Sequence, residues 1–116
     1  MRVLIVEDDP TLRMVIGMVL ERDGYEIDEA PHGQAALGVI ADRRPDVVVA
    51  DLRMPVMGGL ELIQRLRADT ATADVPVILL SGAADLGDSE RHASAVLAKP
   101  FDPAELLAKV RALVRS

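Results

Sequence analysis

Cysteine and tryptophan are absent from this chain of 116 residues, and Tyr25 and Phe101 are its only aromatic residues. Without cysteine there is neither a disulfide nor a thiolate metal site, which fits a reducing compartment such as the cytoplasm. Half of the residues are hydrophobic, so a core can form, but it must consist of Val, Leu, Ile and Ala. The length and composition predict one domain, residues 1–116, with an aliphatic core.

Long apolar runs and basic clusters are missing as well. No stretch approaches the ~20 apolar residues of a membrane span, and the apolar run at residues 3–6 is too short for a signal peptide. The net charge is −6, and the arginines are scattered, whereas nucleic-acid-binding domains usually carry a basic stripe. We therefore expect a cytoplasmic protein that binds no membrane and makes no direct contact with nucleic acid.

Short apolar runs alternate with helical patterns along the chain. The runs predict five strands, β1 to β5, at residues 3–6, 25–30, 47–50, 77–80 and 95–98. Strands of this kind between helices predict a parallel sheet covered by helices on both faces. Right-handed crossovers leave few topologies, and we choose the flavodoxin-like (βα)5 order 2-1-3-4-5. Residues 83–94 show no clear pattern, so the fourth helix is expected to be short or irregular.

Chemically useful side chains stand where the predicted strands end. Glu7 and Asp8 follow β1, Asp51 follows β3, Ser81 follows β4 and Lys99 follows β5. In the order 2-1-3-4-5, ligands bind beyond the carboxyl ends of β1 and β3. Three carboxylates at one edge repel each other, so either their pKa values rise or a cation binds among them. Oxygen ligands of this kind suit Mg²⁺, and a carboxylate can accept a phosphoryl group.

The chain resembles the receiver domains of two-component response regulators, the family that includes the stand-alone chemotaxis regulators. The resemblance rests on five segments that occur in the family's order, at residues 3–9, 30–37, 45–59, 76–82 and 99–101. Each segment lies at the start or end of the expected element, and the resemblance extends over almost the whole chain. The resemblance implies a receiver domain over residues 1–116.

The resemblance also implies the ligands of a magnesium ion. Asp8 and Asp51 match the direct carboxylate ligands, and the backbone carbonyl of Arg53 matches the third protein ligand. Glu7 matches the neighbouring acid, which acts through water.

The implied function is that of a phosphoacceptor signalling module and not of an enzyme, apart from its own phosphorylation and dephosphorylation. Asp51 matches the phosphoacceptor, and Ser81 and Lys99 match the residues that contact the phosphoryl group. The donor would be a histidine kinase or a histidine phosphotransfer protein, and the downstream protein target is unknown. The resemblance also suggests a cis peptide bond between Lys99 and Pro100.

Two departures from the family's pattern affect the expected output. Val96 stands where the family commonly has Tyr or Phe, the ring that turns inward on phosphorylation. The segment from Ser81 to Lys99 is about one helical turn shorter than usual. We therefore expect phosphorylation to alter the Ser81 loop and residues 83–94 while barely repacking β5 and the last helix.

Three questions stay open at this point. Met14 and Met18 on the first helix are either peripheral core residues or a docking surface for the kinase. The domain could instead be a receiver-like scaffold that is never phosphorylated. A small Mg²⁺-dependent phosphohydrolase with an aspartate nucleophile is the remaining alternative.

Overall fold

The computed structural model describes residues 1–82 and 93–115. Its strands are β1 (Arg2–Val6), β2 (Glu26–Ala30), β3 (Val47–Asp51), β4 (Val77–Ser81) and β5 (Ala95–Ala98), and its helices are α1 (Pro10–Arg22), α2 (Gly33–Asp42), α3 (Gly59–Ala68) and α4 (Pro103–Arg115). All neighbouring strands are parallel, in the order β2-β1-β3-β4-β5. The predicted topology is therefore confirmed. The predicted short or irregular fourth helix falls mainly on residues 83–92, outside the described part of the chain.

Alternating residues of each strand face two aliphatic layers. Leu4 and Val6 of β1 pack in the layer covered by α2 and α3, while Val3 and Ile5 pack in the layer covered by α1 and α4. The buried side chains supplied by the helices are Ala36, Ile40, Leu62, Ile63 and Leu66 on the first side and Ile16, Leu20, Leu106 and Val110 on the second. An aliphatic core with a helical layer on each face of the sheet agrees with the composition.

The ends of α1 follow from the capping signals in the sequence. The Asp9 carboxylate accepts hydrogen bonds from the backbone N–H groups of Thr11 and Leu12, and proline opens the helix. At the other end Gly24 has a φ of 93°, a conformation that glycine adopts without strain. The backbone N–H of Tyr25 donates to the Leu20 carbonyl, so β2 begins one residue later than predicted.

Within residues 1–82 and 93–115, no helix has both the length and the apolar character of a membrane span.

Candidate functional site

The register of the sheet brings the ends of β1 and β3 together. Val6 pairs with Ala50, so the next residues, Glu7 and Asp51, stand side by side. The backbone N–H of Glu7 continues the ladder to β2 by donating to the Ala30 carbonyl at 3.1 Å. The predicted acidic edge therefore forms at the junction between β1 and its two neighbouring strands.

Three carboxylates converge at this edge. Glu7, Asp8 and Asp51 each offer an oxygen, and these oxygens all lie within 4.8 Å of one another. Glu7 and Asp51 are buried, with 2% and 8% of their surface exposed, while Asp8 is open to solvent. Oε2 of Glu7 is buried and has no hydrogen-bond partner in the described structure. This oxygen lacks a hydrogen-bond donor and lies among negative charges. A cation bound nearby would offset both unfavourable effects.

Lys99 supplies a positive charge to the cluster. Its ammonium nitrogen lies 3.0 Å from Oδ2 of Asp51 and 3.6 Å from Oε1 of Glu7. Burial opposes the charged form of Lys99, but the hydrogen bond and charge of Asp51 together with the charge of Glu7 outweigh it, so its pKa is raised. One ammonium nevertheless faces three carboxylates.

Burial and the neighbouring carboxylates raise the pKa of Glu7. Its pKa rises from the ordinary 4.5 to about 8, first because burial disfavours the carboxylate and then because of the hydrogen bond and charge of Asp51. Lys99 offsets only part of this effect. A divalent cation with oxygen ligands fits this donor set, since it would hold all three groups ionised.

The remaining predicted site residues are Ser81, at the end of β4, and Arg53, in the loop after β3. Ser81 is buried at the end of β4, and its hydroxyl donates to the carbonyl of Gly82 at 2.9 Å. Arg53 lies exposed in the loop after β3, and the role of its backbone carbonyl as a ligand stays a prediction. The predicted cis bond between Lys99 and Pro100 is confirmed.

The loop after β3 is shaped by glycine and by one unusual valine. A Cβ on Gly59 would lie 2.5 Å from the Asp51 carbonyl oxygen, so only glycine lets α3 start this close to the end of β3. Val56 has a φ of 68°, and the N–H of Met57 donates to the Pro55 carbonyl at 2.7 Å across it. This three-residue γ-turn is strained for a β-branched residue, and no residue pattern predicted a positive φ at this valine.

An apolar surface adjoins the acidic edge. A groove of about 430 Å³ is lined by Leu12, Val15, Lys99, Pro100, Phe101 and Pro103. On the same helix as Leu12, Met14 and Met18 are 56% and 55% exposed. This exposure favours a docking surface over the interpretation of the two methionines as peripheral core residues.

Sequence reasoning missed one contact that reaches the acidic edge from α1. The Arg13 guanidinium donates to the carbonyl of Glu7 at 2.7 Å and to Glu29 at 3.1 Å. A basic residue a few positions after an acidic pair is too common a pattern to predict such a contact.

Comparisons with known proteins agree with this geometry. The chain is 38% identical over 117 residues to the phosphate regulon transcriptional regulatory protein PhoB of Pseudomonas aeruginosa, with 97% of this chain and 51% of that protein covered. It spans about half the length of the curated relatives that it matches first, 49% and 51%.

Two solved structures share the fold over nearly their whole length. A putative response regulator from Chloroflexus aurantiacus superposes with a TM-score of 0.93 at 33% identity, covering 99% of this chain and 98% of that one. The receiver domain of a sensor histidine kinase from Pseudomonas aeruginosa, crystallised with a magnesium ion coordinated in its active site cleft, gives a TM-score of 0.90 at 32% identity with the same coverage, 99% and 98%.

The family model for the response regulator receiver domain matches residues 3–111. Together with the fold and the acidic edge, this match shows that the chain belongs to the receiver domains of two-component response regulators, signalling modules that act as phosphoacceptors.

Proposed function

We propose that Asp51 is the phosphoacceptor of this receiver and that residues 1–116 form the receiver domain. The observation that carries the proposal is the position of the Asp51 carboxylate, which lies within the acidic cluster and 3.0 Å from the Lys99 ammonium. Asp51 is buried, with only 8% of its surface exposed, and the Lys99 ammonium lies on one side of it. Its carboxylate is therefore held in place as a nucleophile.

We propose Mg²⁺ as the cofactor, with Asp8, Asp51 and the backbone carbonyl of Arg53 as direct ligands and Glu7 acting through water. The convergence of the three carboxylates and the unpartnered Oε2 of Glu7 support this assignment. When bound, Mg²⁺ neutralises negative charge on the phosphoryl oxygens.

The donor in this proposal is the phosphohistidine of a histidine kinase or of a histidine phosphotransfer protein. A carboxylate oxygen of Asp51 attacks phosphorus, the P–N bond breaks, and its electron pair stays on the imidazole nitrogen. Lys99 balances charge on the transferred group. The hydroxyl of Ser81, which donates to the Gly82 carbonyl, turns to donate to a phosphoryl oxygen.

The exposed methionines of α1 extend this proposal to the docking of the donor. Met14 and Met18 are flexible apolar side chains of the kind that adaptable docking surfaces use. They are half exposed on the helix that also lines the groove beside Lys99. The downstream target is a protein whose identity stays open, and a cytoplasmic location stays a prediction.

The test is phosphorylation of the isolated domain by a small phosphodonor such as acetyl phosphate in the presence of Mg²⁺, followed by intact-protein mass spectrometry. The wild type should gain one phosphoryl group, and Asp51→Asn should gain none. Asp42→Asn is the matched control, because Asp42 is an exposed residue at the end of α2 and its loss should leave labelling unchanged. Label retained in Asp51→Asn would refute the assignment of the acceptor.

The same sample separates the two alternative functions. A scaffold that is never phosphorylated would gain no label from the small donor or from any purified histidine kinase. A phosphohydrolase would release inorganic phosphate from an added phosphomonoester without any kinase. The family match favours the receiver over both.

A further inference from the structure

Arg13, on the first turn of α1, connects three parts of the molecule. Its side chain is 21% exposed, and its Nη1 atom donates to the main-chain carbonyl of Glu7 at 2.7 Å. Its Nε atom donates to Oε1 of Glu29 on β2 at 3.1 Å. The guanidinium is thus held by a carboxylate on one side while it holds the backbone of the acidic edge on the other.

Arg13 holds the carbonyl of the peptide that joins Glu7 to Asp8, and other bonds hold the backbone on either side of it. The N–H of Glu7 is bonded to the Ala30 carbonyl, and its C=O is bonded to Arg13. One residue further on, the Asp9 carboxylate caps α1. The backbone on both sides of Asp8 is therefore anchored, and the direction in which the exposed Asp8 side chain leaves it depends on these anchors.

We propose that Arg13 is a positioning residue, which sets the place of Asp8 and Glu7 for cation binding by holding the Glu7 carbonyl. The proposal rests on the magnesium site described under the proposed function. Arg13 itself contacts a backbone atom and not the predicted ligand atoms, so it acts through the peptide that it orients.

Of the two hydrogen bonds that Arg13 donates, the one to Glu7 is expected to contribute more to the stability of the site than the one to Glu29. The carboxylate of Glu29 is 51% exposed, and an ion pair with such a partner contributes little to stability. The bond to the Glu7 carbonyl is partly buried and has a charged donor, and bonds of this kind are the stronger ones. Partners that orient metal ligands commonly change metal affinity by about 10- to 100-fold when they are removed.

The experiment compares Mg²⁺ binding by the full chain in wild type, Arg13→Met and Arg13→Lys. Arg13→Met should raise the Kd for Mg²⁺ about tenfold. Arg13→Lys keeps the charge but has one nitrogen for two acceptors, so it should recover only part of the loss. Arg65→Met is the matched control, since Arg65 forms an exposed ion pair with Glu61 on α3, and its Kd should stay at the wild-type value.

A second measurement separates positioning from a general loss of structure. In phosphorylation by a small donor, Arg13→Met should need about tenfold more Mg²⁺ for its half-maximal rate, while the rate at saturating Mg²⁺ stays near that of the wild type. A Kd within about twofold of wild type, or a lower saturating rate with an unchanged Mg²⁺ requirement, would overturn the proposal. If Arg13→Met does not fold, the same two readouts on Arg13→Lys decide.

The failure of this proposal can be told apart from failure of the metal site itself. Asp8→Ala should abolish Mg²⁺ binding if the site is correct. Loss of binding in Asp8→Ala together with wild-type binding in Arg13→Met and Arg13→Lys overturns the role of Arg13 alone. Wild-type binding in Asp8→Ala overturns the metal site and the positioning role with it.

Discussion

The Lys99 ammonium lies 3.0 Å from Oδ2 of Asp51, so the position at which we expect a cation to bind already faces a fixed positive charge. A unit charge and a dication a few ångströms apart repel each other by about 1 kcal/mol or more even at the dielectric constant of water. We therefore predict that Lys99→Ala tightens Mg²⁺ binding by roughly fivefold, although it slows phosphorylation because the charge that stabilises the transferred group is gone.

Isothermal titration with Mg²⁺ and the rate of labelling by a small donor measure the two effects of Lys99→Ala separately. Lys109→Ala is the matched control, because Lys109 lies on α4 and its removal should change neither quantity. Weaker Mg²⁺ binding in Lys99→Ala would show that Lys99 helps to build the metal site, contrary to this reasoning.

The raised pKa of Glu7 predicts how the metal-free protein responds to pH. Between its ordinary pKa of 4.5 and the folded value of about 8, the folded chain keeps a proton that the unfolded chain has lost. Folding then takes up a proton, so the free energy of unfolding falls as pH rises through this window. Mg²⁺ binds ionised carboxylates, so its stabilising effect should grow over the same range.

Urea unfolding at a series of pH values, with a chelator or with Mg²⁺, measures this linkage. Glu7→Gln cannot lose a proton, so its metal-free stability should show a smaller decline between about pH 5 and pH 8 than that of the wild type. The same decline in both proteins would assign the pH dependence to groups other than Glu7.

The left-handed backbone conformation of Val56 leads us to predict that replacing this residue by glycine stabilises the domain. Its side chain is 76% exposed and its φ is 68°, so it contributes little burial while its backbone is strained. Val56→Gly should raise the free energy of unfolding by about 1 kcal/mol, the relief of strain exceeding the added chain entropy. Gly24→Ala is the inverse control, because φ there is 93°, and it should destabilise the domain. A Val56→Gly variant that is less stable than the wild type would show that the backbone at Val56 is not strained.

The elements and their order could be predicted because local signals agreed with the fold. The apolar runs of the strands, Asp9 and Pro10 at the start of α1 and Gly24 after its end all point to the same structure. The acidic edge followed from topology, since the carboxyl ends of β1 and β3 must adjoin in this order.

The features that escaped prediction depend on side-chain reach and on backbone angles. The bond from Arg13 to the Glu7 carbonyl depends on how α1 packs beside β1 and β2. The positive φ of Val56 contradicts the preference of its residue type, and only the neighbouring Pro55 and Gly58 marked a turn. The hydrogen bond from the Ser81 hydroxyl to the Gly82 carbonyl also depends on local geometry, and the contact of this hydroxyl with a phosphoryl group stays a prediction.

The last prediction concerns Val96, which pairs with Leu79 across β4 and β5. Val96 is half-buried and packs against the core layer that contains Leu79. Its branched side chain is stiff at χ1, so it cannot swing between an outer and an inner position as a ring can. At about 25 cal/mol per Å² of apolar surface, a swinging aromatic ring could bias two states by about 1 kcal/mol or more, and valine by only a fraction of that.

Backbone amide shifts with and without a phosphate mimic and Mg²⁺ test this argument. We expect large shifts at Asp51, Ser81 and Gly82 and small shifts along β5 and residues 106–114, because no side chain of β5 changes its burial. Val96→Tyr supplies the missing ring and should enlarge the response of β5, whereas Val96→Ala should leave it small. Shifts along β5 and α4 as large as those at Ser81 in the wild type would show that a ring at this position is dispensable for coupling the phosphorylation site to that face.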